Sequence, residues 1–197
     1  VDVPEGEGDY PIQCLFRSAG NGPKHYNLRG IPFIVVFARL GVEFGSFDEE
    51  ERGGLLCDDE DERNTLEHLV CSPESADDEE YYQLVDNACL LQLIQLRQIN
   101  LFIKEDIKDY RLIPDVGYQD YFAENRFRLL VEWDPASLLQ IFEDGWYPLY
   151  SVDGNICHGK SVRGFQLVVE HLIRFYPKLC VNLLFKKYDS DDDDDDD

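Results

Sequence analysis

The chain carries one six-residue pattern twice, as Phe127–Glu132 (FRLLVE) and, 38 residues later, as Phe165–Glu170 (FQLVVE). The first copy is followed by Pro135 and the second by Pro177, and a pair of leucines comes after each proline. A weaker third copy begins at Phe33 (FIVVF) and is also followed by leucines. We interpret all three copies as helices of related units.

A recurrence of this length indicates a helical repeat, because solenoid units built from two helices have spacings in the thirties or forties. One such unit cannot bury its apolar face alone, whereas stacked neighbours can. The sequence therefore predicts an all-α fold that is a helical-repeat solenoid with long loops. A disordered acidic tail is predicted at its C-terminal end, where eight aspartates occur within residues 189–197.

The stretch after the first copy resembles the ankyrin-repeat family. In that family an Asp-Gly turn follows the second helix of a unit, and Thr-Pro-Leu-His opens the next unit. Here Asp144-Gly145 corresponds to the turn and Pro148-Leu149 to the opening, with Tyr147 in place of Thr and Tyr150 in place of His. Glycine tolerates the turn dihedrals, and proline pre-sets the first helical residue.

The resemblance is best over residues 125–185, and it implies an ankyrin-like protein-binding scaffold with no chemistry attached. We predict a loose acidic leader at 1–10, degenerate ankyrin-like repeats over 11–188 and the disordered poly-Asp tail. Within the repeats, 48–80 is predicted to be an acidic loop region, and the clearest repeats are those of 111–188.

Local patterns predict several individual helices. The apolar run Phe33–Leu40 would suit a buried strand or a helix opened by Pro32, and its likeness to the later copies favours the helix. Ser75–Asp78 is typical of a helix start, and a helix is predicted from there to about Leu96.

Leu84, Ala88 and Leu91 are predicted to mark one apolar face of that long helix, with Val85 beside it. A shorter amphipathic segment, 103–112, is predicted to close before Pro114. A further helix is predicted over residues 162–176, with His171 lining its core or a groove.

The net charge of −23 is concentrated in two segments. The tail contributes −8, and residues 48–80 contribute −13, from fifteen acids against two arginines. A basic footprint is missing, which argues against direct nucleic-acid binding. The same acidity supports an alternative function, in which the chain is an acidic module that binds basic proteins through its tail. This alternative predicts that binding weakens steeply as the salt concentration rises.

Six cysteines are scattered along the chain without a CxxC or CxxH spacing. We interpret them as reduced and mostly buried, which favours a cytoplasmic or nuclear protein. Their even number leaves a secreted disulfide framework as the alternative. The longest apolar run, Ile31–Ala38, is too short to cross a bilayer, so no membrane span is predicted.

Candidate chemistry is sparse, and we predict no catalytic residue, metal site or cofactor. Cys157-His158 lacks the second ligand pair that a closed zinc site needs. The acidic clusters do not fit the twelve-residue calcium loop. Residues 154–161 (GNICHGKS) satisfy the spacing of a phosphate-binding loop, G-x-x-x-x-G-K-[ST].

A phosphate-binding loop needs a buried strand before it and an α/β fold around it, and neither is predicted here. Nucleotide binding through Lys160 and Ser161 is therefore kept only as an alternative. The favoured function is a non-catalytic scaffold that binds another protein, and the partner-binding residues predicted are Trp146, Tyr147 and Tyr150, because tryptophan and tyrosine dominate interface energetics.

Overall fold

A computed structural model describes residues 10–16, 26–59, 61–71, 79–118, 121–140 and 162–180. This part of the chain is mostly helical and contains no β-strand, which confirms the all-α class. Its α-helices are α1 (Ile34–Glu43), α2 (Thr65–Val70), α3 (Glu79–Gln98), α4 (Asp106–Asp109), α5 (Leu112–Tyr118), α6 (Glu124–Trp133) and α7 (Val162–Phe175). Short 3-10 helices are η1 (Gln13–Leu15), η2 (Ile31–Phe33), η3 (Glu49–Gly54) and η4 (Pro135–Leu139).

Two of the short helices pack on longer ones. The short α2 packs against the long α3, and the short α5 packs against the longer α6. The two short helices also contact each other, as do the two longer ones. Helix α1 contacts α3, and α7 contacts α6. One cluster of buried apolar side chains runs through all these contacts, from Ile12 to Cys180.

A buried arginine joins three of the helices. Arg126 on α6 has no exposed surface, and its Nε donates to Asp86 Oδ1 on α3 at 2.9 Å. Its Nη1 donates to the carbonyl oxygens of Leu69, Val70 and Cys71 at the end of α2. The last carbonyls of a helix lack intrahelical partners, so this guanidinium caps α2 from a neighbouring helix.

The predicted apolar face of α3 is wrong. Leu84 and Leu91 are 52% and 56% exposed, and Ala88 is only half-buried. The buried face is rotated from the predicted one and includes polar side chains that a hydrophobic pattern does not count. It comprises Tyr82, Val85, Asp86, Cys89, Gln92, Leu93 and Leu96. The long helix itself is confirmed, and it ends at Gln98.

The predicted segment before Pro114 is also wrong. Helix α4 is only four residues long, and Pro114 lies in the first turn of α5. Backbone N–H groups in a first turn have no intrahelical acceptor, so proline is tolerated there. The acidic loop region is partly helical, since η3 lies within it and begins with a capping box between Asp48 and Glu51.

The three Phe copies differ in their burial. Phe127 is buried, Phe165 is half-buried and Phe33 is exposed, so equal letters do not mark equal positions. The helices themselves are confirmed: η2 and α1 cover the copy at Phe33, and α6 and α7 cover the copies at Phe127 and Phe165. His171 is buried in α7, as predicted.

Four of the five cysteines that the structure describes are buried, in agreement with the prediction, and Cys14 is exposed. These five form no disulfide bond with one another. Among the described residues, no helix combines the length and apolarity that a membrane span requires.

Candidate protein-binding surface

Helix α1 is apolar on two opposite sides. One side is buried against the core through Ile31, Ile34, Val35 and Ala38. The opposite side is open to solvent, and we call it the open face of α1. Its members are Phe33 (53% exposed), Val36 (48%), Phe37 (39%), Leu40 (40%) and Phe44 (73%).

The open face is one continuous stripe. Phe33, Phe37, Leu40 and Phe44 follow one another at intervals of four, three and four residues, which places them on one side of a helix. Single exposed apolar residues are ordinary, but a contiguous apolar patch marks an interaction site. Val42 is also exposed but lies on the other side of the helix.

The local sequence fixes both ends of this helix. Pro32 lies in the turn that opens it. At the other end Gly45 takes a φ of +59°, and Ser46 N–H donates to the carbonyl of Gly41 at 3.1 Å. With the bond from Gly45 N–H to Val42, this geometry is a Schellman motif, which ends the helix directly after Phe44.

The buried side of α1 is held by a close backbone approach. A Cβ on Gly41 would lie 2.7 Å from the carbonyl oxygen of Gly53 in η3. Gly53 has a φ of +70°, and a Cβ there would overlap the carbonyl oxygen of Ala38. In turn η3 is tied to α4, because Arg52 donates to Asp106 at 2.5 Å. Helix α1 therefore cannot turn its open face inward without breaking this contact.

Few charges surround the open face. Arg29, Arg39 and Glu43 are exposed, so residues 26–44 carry two positive charges and one negative charge. This segment lies before the acidic loop region, whose exposed acids begin at Asp48. The open face is thus apolar, with a basic residue before its first phenylalanine and an acidic one beside its last.

Apart from the open face, the carboxylate of Asp59 and the imidazole of His68 form a hydrogen-bonded pair. Asp59 Oδ2 lies 2.7 Å from His68 Nε2, and Asp59 Oδ1 accepts from the backbone N–H groups of Asp61 and Arg63. Burial tends to raise the pKa of Asp59, but these hydrogen bonds outweigh it and hold the pKa below its usual value. The aspartate fastens the loop that leads into α2.

Three buried cysteines, Cys57, Cys71 and Cys89, are not activated as nucleophiles. Burial raises the pKa of Cys71 to about 12, and the same cause raises the pKa of Cys57 to about 12 and that of Cys89 to about 11. The reactive form of cysteine is the thiolate, so these side chains are inert at neutral pH. Among the described residues, no group of three His, Cys, Asp or Glu side chains could hold a metal ion.

Two carboxylates on the short helices have raised affinity for protons. Burial raises the pKa of Asp115 on α5 to about 6, against the opposing attraction of Arg63 and Arg111. Burial also raises the pKa of Glu67 on α2, and the charge of Asp115 adds to that effect. Glu67 is engaged in the capping box that begins α2 with Asn64, so its role is structural.

The predicted partner-binding residues Trp146, Tyr147 and Tyr150 lie outside the described residues, as do the 154–161 string and the poly-Asp tail. These predictions stay predictions. The sequence reasoning missed the open face of α1 because it treated Phe33–Leu40 as core. The available signal was apolar residues on all sides of one helix.

Comparison with protein-family models, with curated proteins and with solved structures gives no significant match for this chain. The described residues themselves show a mainly helical protein in which one helix exposes an apolar face.

Proposed function

We propose that the chain is a non-catalytic, ankyrin-like helical-repeat scaffold that binds another protein, and that the open face of α1 is a contact surface. The packing of the short α2 on the longer α3, and of the short α5 on the longer α6, supports the repeat organisation. So do the contacts of α2 with α5 and of α3 with α6, because in a solenoid each unit packs on its neighbour.

The spacing of these units is irregular. Helix α3 ends at Gln98 and α6 at Trp133, 35 residues apart, whereas α7 ends at Phe175, 42 residues after α6. An ankyrin unit spans about 33 residues. The proposal is therefore of degenerate repeats.

The open face of α1 is the observation that carries the binding function. In a repeat stack an interior helix has packed neighbours on both sides, and terminal repeats need a polar outer face. Helix α1 has an apolar outer face instead, and a partner protein would remove that face from water. The inert thiols and the structural role of the Asp59–His68 pair support the absence of catalysis.

The test is affinity capture from a lysate with three forms of the full chain: unchanged, Leu40→Glu and Val42→Glu. Both variants place a glutamate at an exposed apolar position of α1, but only Leu40 belongs to the open face. We expect Leu40→Glu to reduce a captured partner at least about tenfold, since burying an unpaired charge at an interface costs more than 1.4 kcal/mol. Val42→Glu should retain it.

Equal capture by both variants, with circular dichroism showing both folded, would remove α1 from the binding site. The proposal also keeps Trp146, Tyr147 and Tyr150 as a second contact, and Trp146→Ala with Tyr150→Ala in the same assay tests that contact separately. A partner that needs these aromatic residues but not Leu40 would move the binding site to the later repeats.

A further inference from the structure

We propose that the open face of α1 pairs with the open face of a second copy of this chain, with the two α1 helices antiparallel across a two-fold axis. This inference rests on the proposed function, because it names the occupant of the same surface. A two-fold interface uses one patch on both copies, so the patch must be complementary to itself when reversed.

The open face meets that requirement. The intervals between Phe33, Phe37, Leu40 and Phe44 are four, three and four residues, so the order of the intervals is the same from either end of the helix. Reversing the helix about a point between residues 38 and 39 places Phe33 opposite Phe44 and Phe37 opposite Leu40. Large aromatic side chains then lie at both ends of the contact, and each central Phe37 faces the partner's smaller leucine.

The charges at the two ends of the open face agree with an antiparallel arrangement. Exposed Arg29 precedes the open face, and exposed Glu43 lies at its far end, where the acids Asp48, Glu49 and Glu50 follow. An antiparallel partner brings the basic end of one helix toward the acidic end of the other, and it also opposes the two helix dipoles favourably. A parallel pair would bring like charges together.

The net charge of −23 does not fall on this surface. Residues 26–44 carry a net charge of +1, from Arg29, Arg39 and Glu43. Repulsion between two copies arises mainly from the acidic loop region and the tail. Salt at about 0.3 M screens charges separated by more than roughly a Debye length, which lies between 3 and 8 Å at that concentration.

The size of the surface suits a weak dimer. At about 200 Å² per phenylalanine, the three phenylalanines expose roughly 300 Å² per copy. Val36 and Leu40 enlarge this area, so the two copies together would bury on the order of 1,000 Å², the lower limit for a specific interface. We therefore expect a monomer–dimer equilibrium in the micromolar range.

Sedimentation velocity of the full chain tests the pairing, over about 2 to 200 µM at about 0.3 M salt. The unchanged chain and Val42→Glu should dimerise with rising concentration, and Leu40→Glu should stay monomeric over the whole range. A monomeric unchanged chain would overturn the pairing, and so would a dimer that survives Leu40→Glu.

The direction of the helices is tested with the photo-reactive residue p-benzoylphenylalanine in place of Phe33. Unlabelled and nitrogen-15-labelled copies of this variant are mixed, irradiated and digested. Peptides that link Phe33 of one copy to the region of Phe44 of the other support the antiparallel pair. Links from Phe33 to the Phe33 region of the other copy contradict it.

These results are distinguishable from failure of the proposed function. If the unchanged chain is monomeric but Leu40→Glu still loses a different captured protein, the pairing is wrong and the binding surface stands. If Leu40→Glu changes neither sedimentation nor capture, both proposals fail.

Discussion

Arg126 links three helices of this fold through one buried side chain. Its guanidinium is buried, pairs with Asp86 and caps α2 through three carbonyl oxygens. A buried ion pair adds little stability compared with a well-packed apolar pair, but removing one partner leaves the other charge uncompensated. Asp86 also accepts from the backbone N–H of Asn125, so it remains fixed when the arginine is lost.

We predict that Arg126→Met lowers the free energy of unfolding by about 3 to 5 kcal/mol, measured by urea denaturation. The matched control is Arg128→Met on the same helix, because the Arg128 side chain is 38% exposed and its ion pair with Glu124 should contribute less than about 1 kcal/mol. The double variant Arg126→Met/Asp86→Leu should recover part of the loss. If both arginine variants lowered the free energy of unfolding equally, the link that Arg126 makes between the helices would not be the cause.

Asp115 gives the fold a dependence on pH. Because burial raises its pKa from 3.8 to about 6, the folded state binds the proton more tightly than the unfolded state. Stability from this group is therefore highest below about pH 4 and is lost as pH rises through 6.

Asp115→Asn should raise the free energy of unfolding at pH 7.5 by roughly 3 kcal/mol. The gain over the unchanged chain should shrink as pH falls through 6 and vanish near pH 4. Urea denaturation at a series of pH values measures it, with the exposed Asp109→Asn as control. A gain that stays the same at all pH values would show that ionisation of Asp115 is not its cause.

At the scale of elements, two glycines near α1 have different tasks. Gly53 combines a positive φ with direct contact against the backbone of Ala38, whereas Gly45 has a positive φ and open space around it. The first is needed for packing α1 on η3, and the second only for ending the helix.

Gly53→Ala should therefore destabilise the fold by more than about 2 kcal/mol, since the new methyl group adds a clash to an unfavourable dihedral. Gly45→Ala should cost only about 1 kcal/mol, the ordinary penalty of a left-handed conformation. Thermal or urea unfolding of the two variants compares them directly. Similar costs would indicate that η3 yields without disturbing α1.

The elements also show where sequence patterns suffice. The segments that became α1 and α7 are both predicted as helices, α1 because Pro32 can open it and because it resembles the later copies. The face of α3 was not predictable in this way. Its buried side includes Asp86 and Gln92, and Asp86 is accommodated there because Arg126 reaches it from α6.

At the scale of the whole molecule, sequence patterns also fail to show which side of α1 is buried. Apolar residues surround α1, and such a helix is ordinarily buried on all sides. Only the arrangement of α3 and η3 determines which side is covered. Sequence reasoning can therefore find the residues of the open face, but it cannot tell that they remain exposed.

A series of contacts between helices relates this surface to the rest of the described molecule. Contacts pass from α1 to α3, from α3 to α6 and from α6 to α7, so the open face belongs to the first long helix of that series. If the chain is a repeat scaffold, this is the end at which another protein would continue the packing.

Site-specific photo-crosslinking of the full chain in a lysate is the most direct measurement. A photo-reactive residue replaces Leu40 in one preparation and Val42 in another, and the linked products are identified by mass spectrometry. We expect a defined protein product, either a second copy or another chain, from position 40 and none from position 42. The same products from both positions, or none from position 40, would contradict the claim that α1 presents a protein-binding surface.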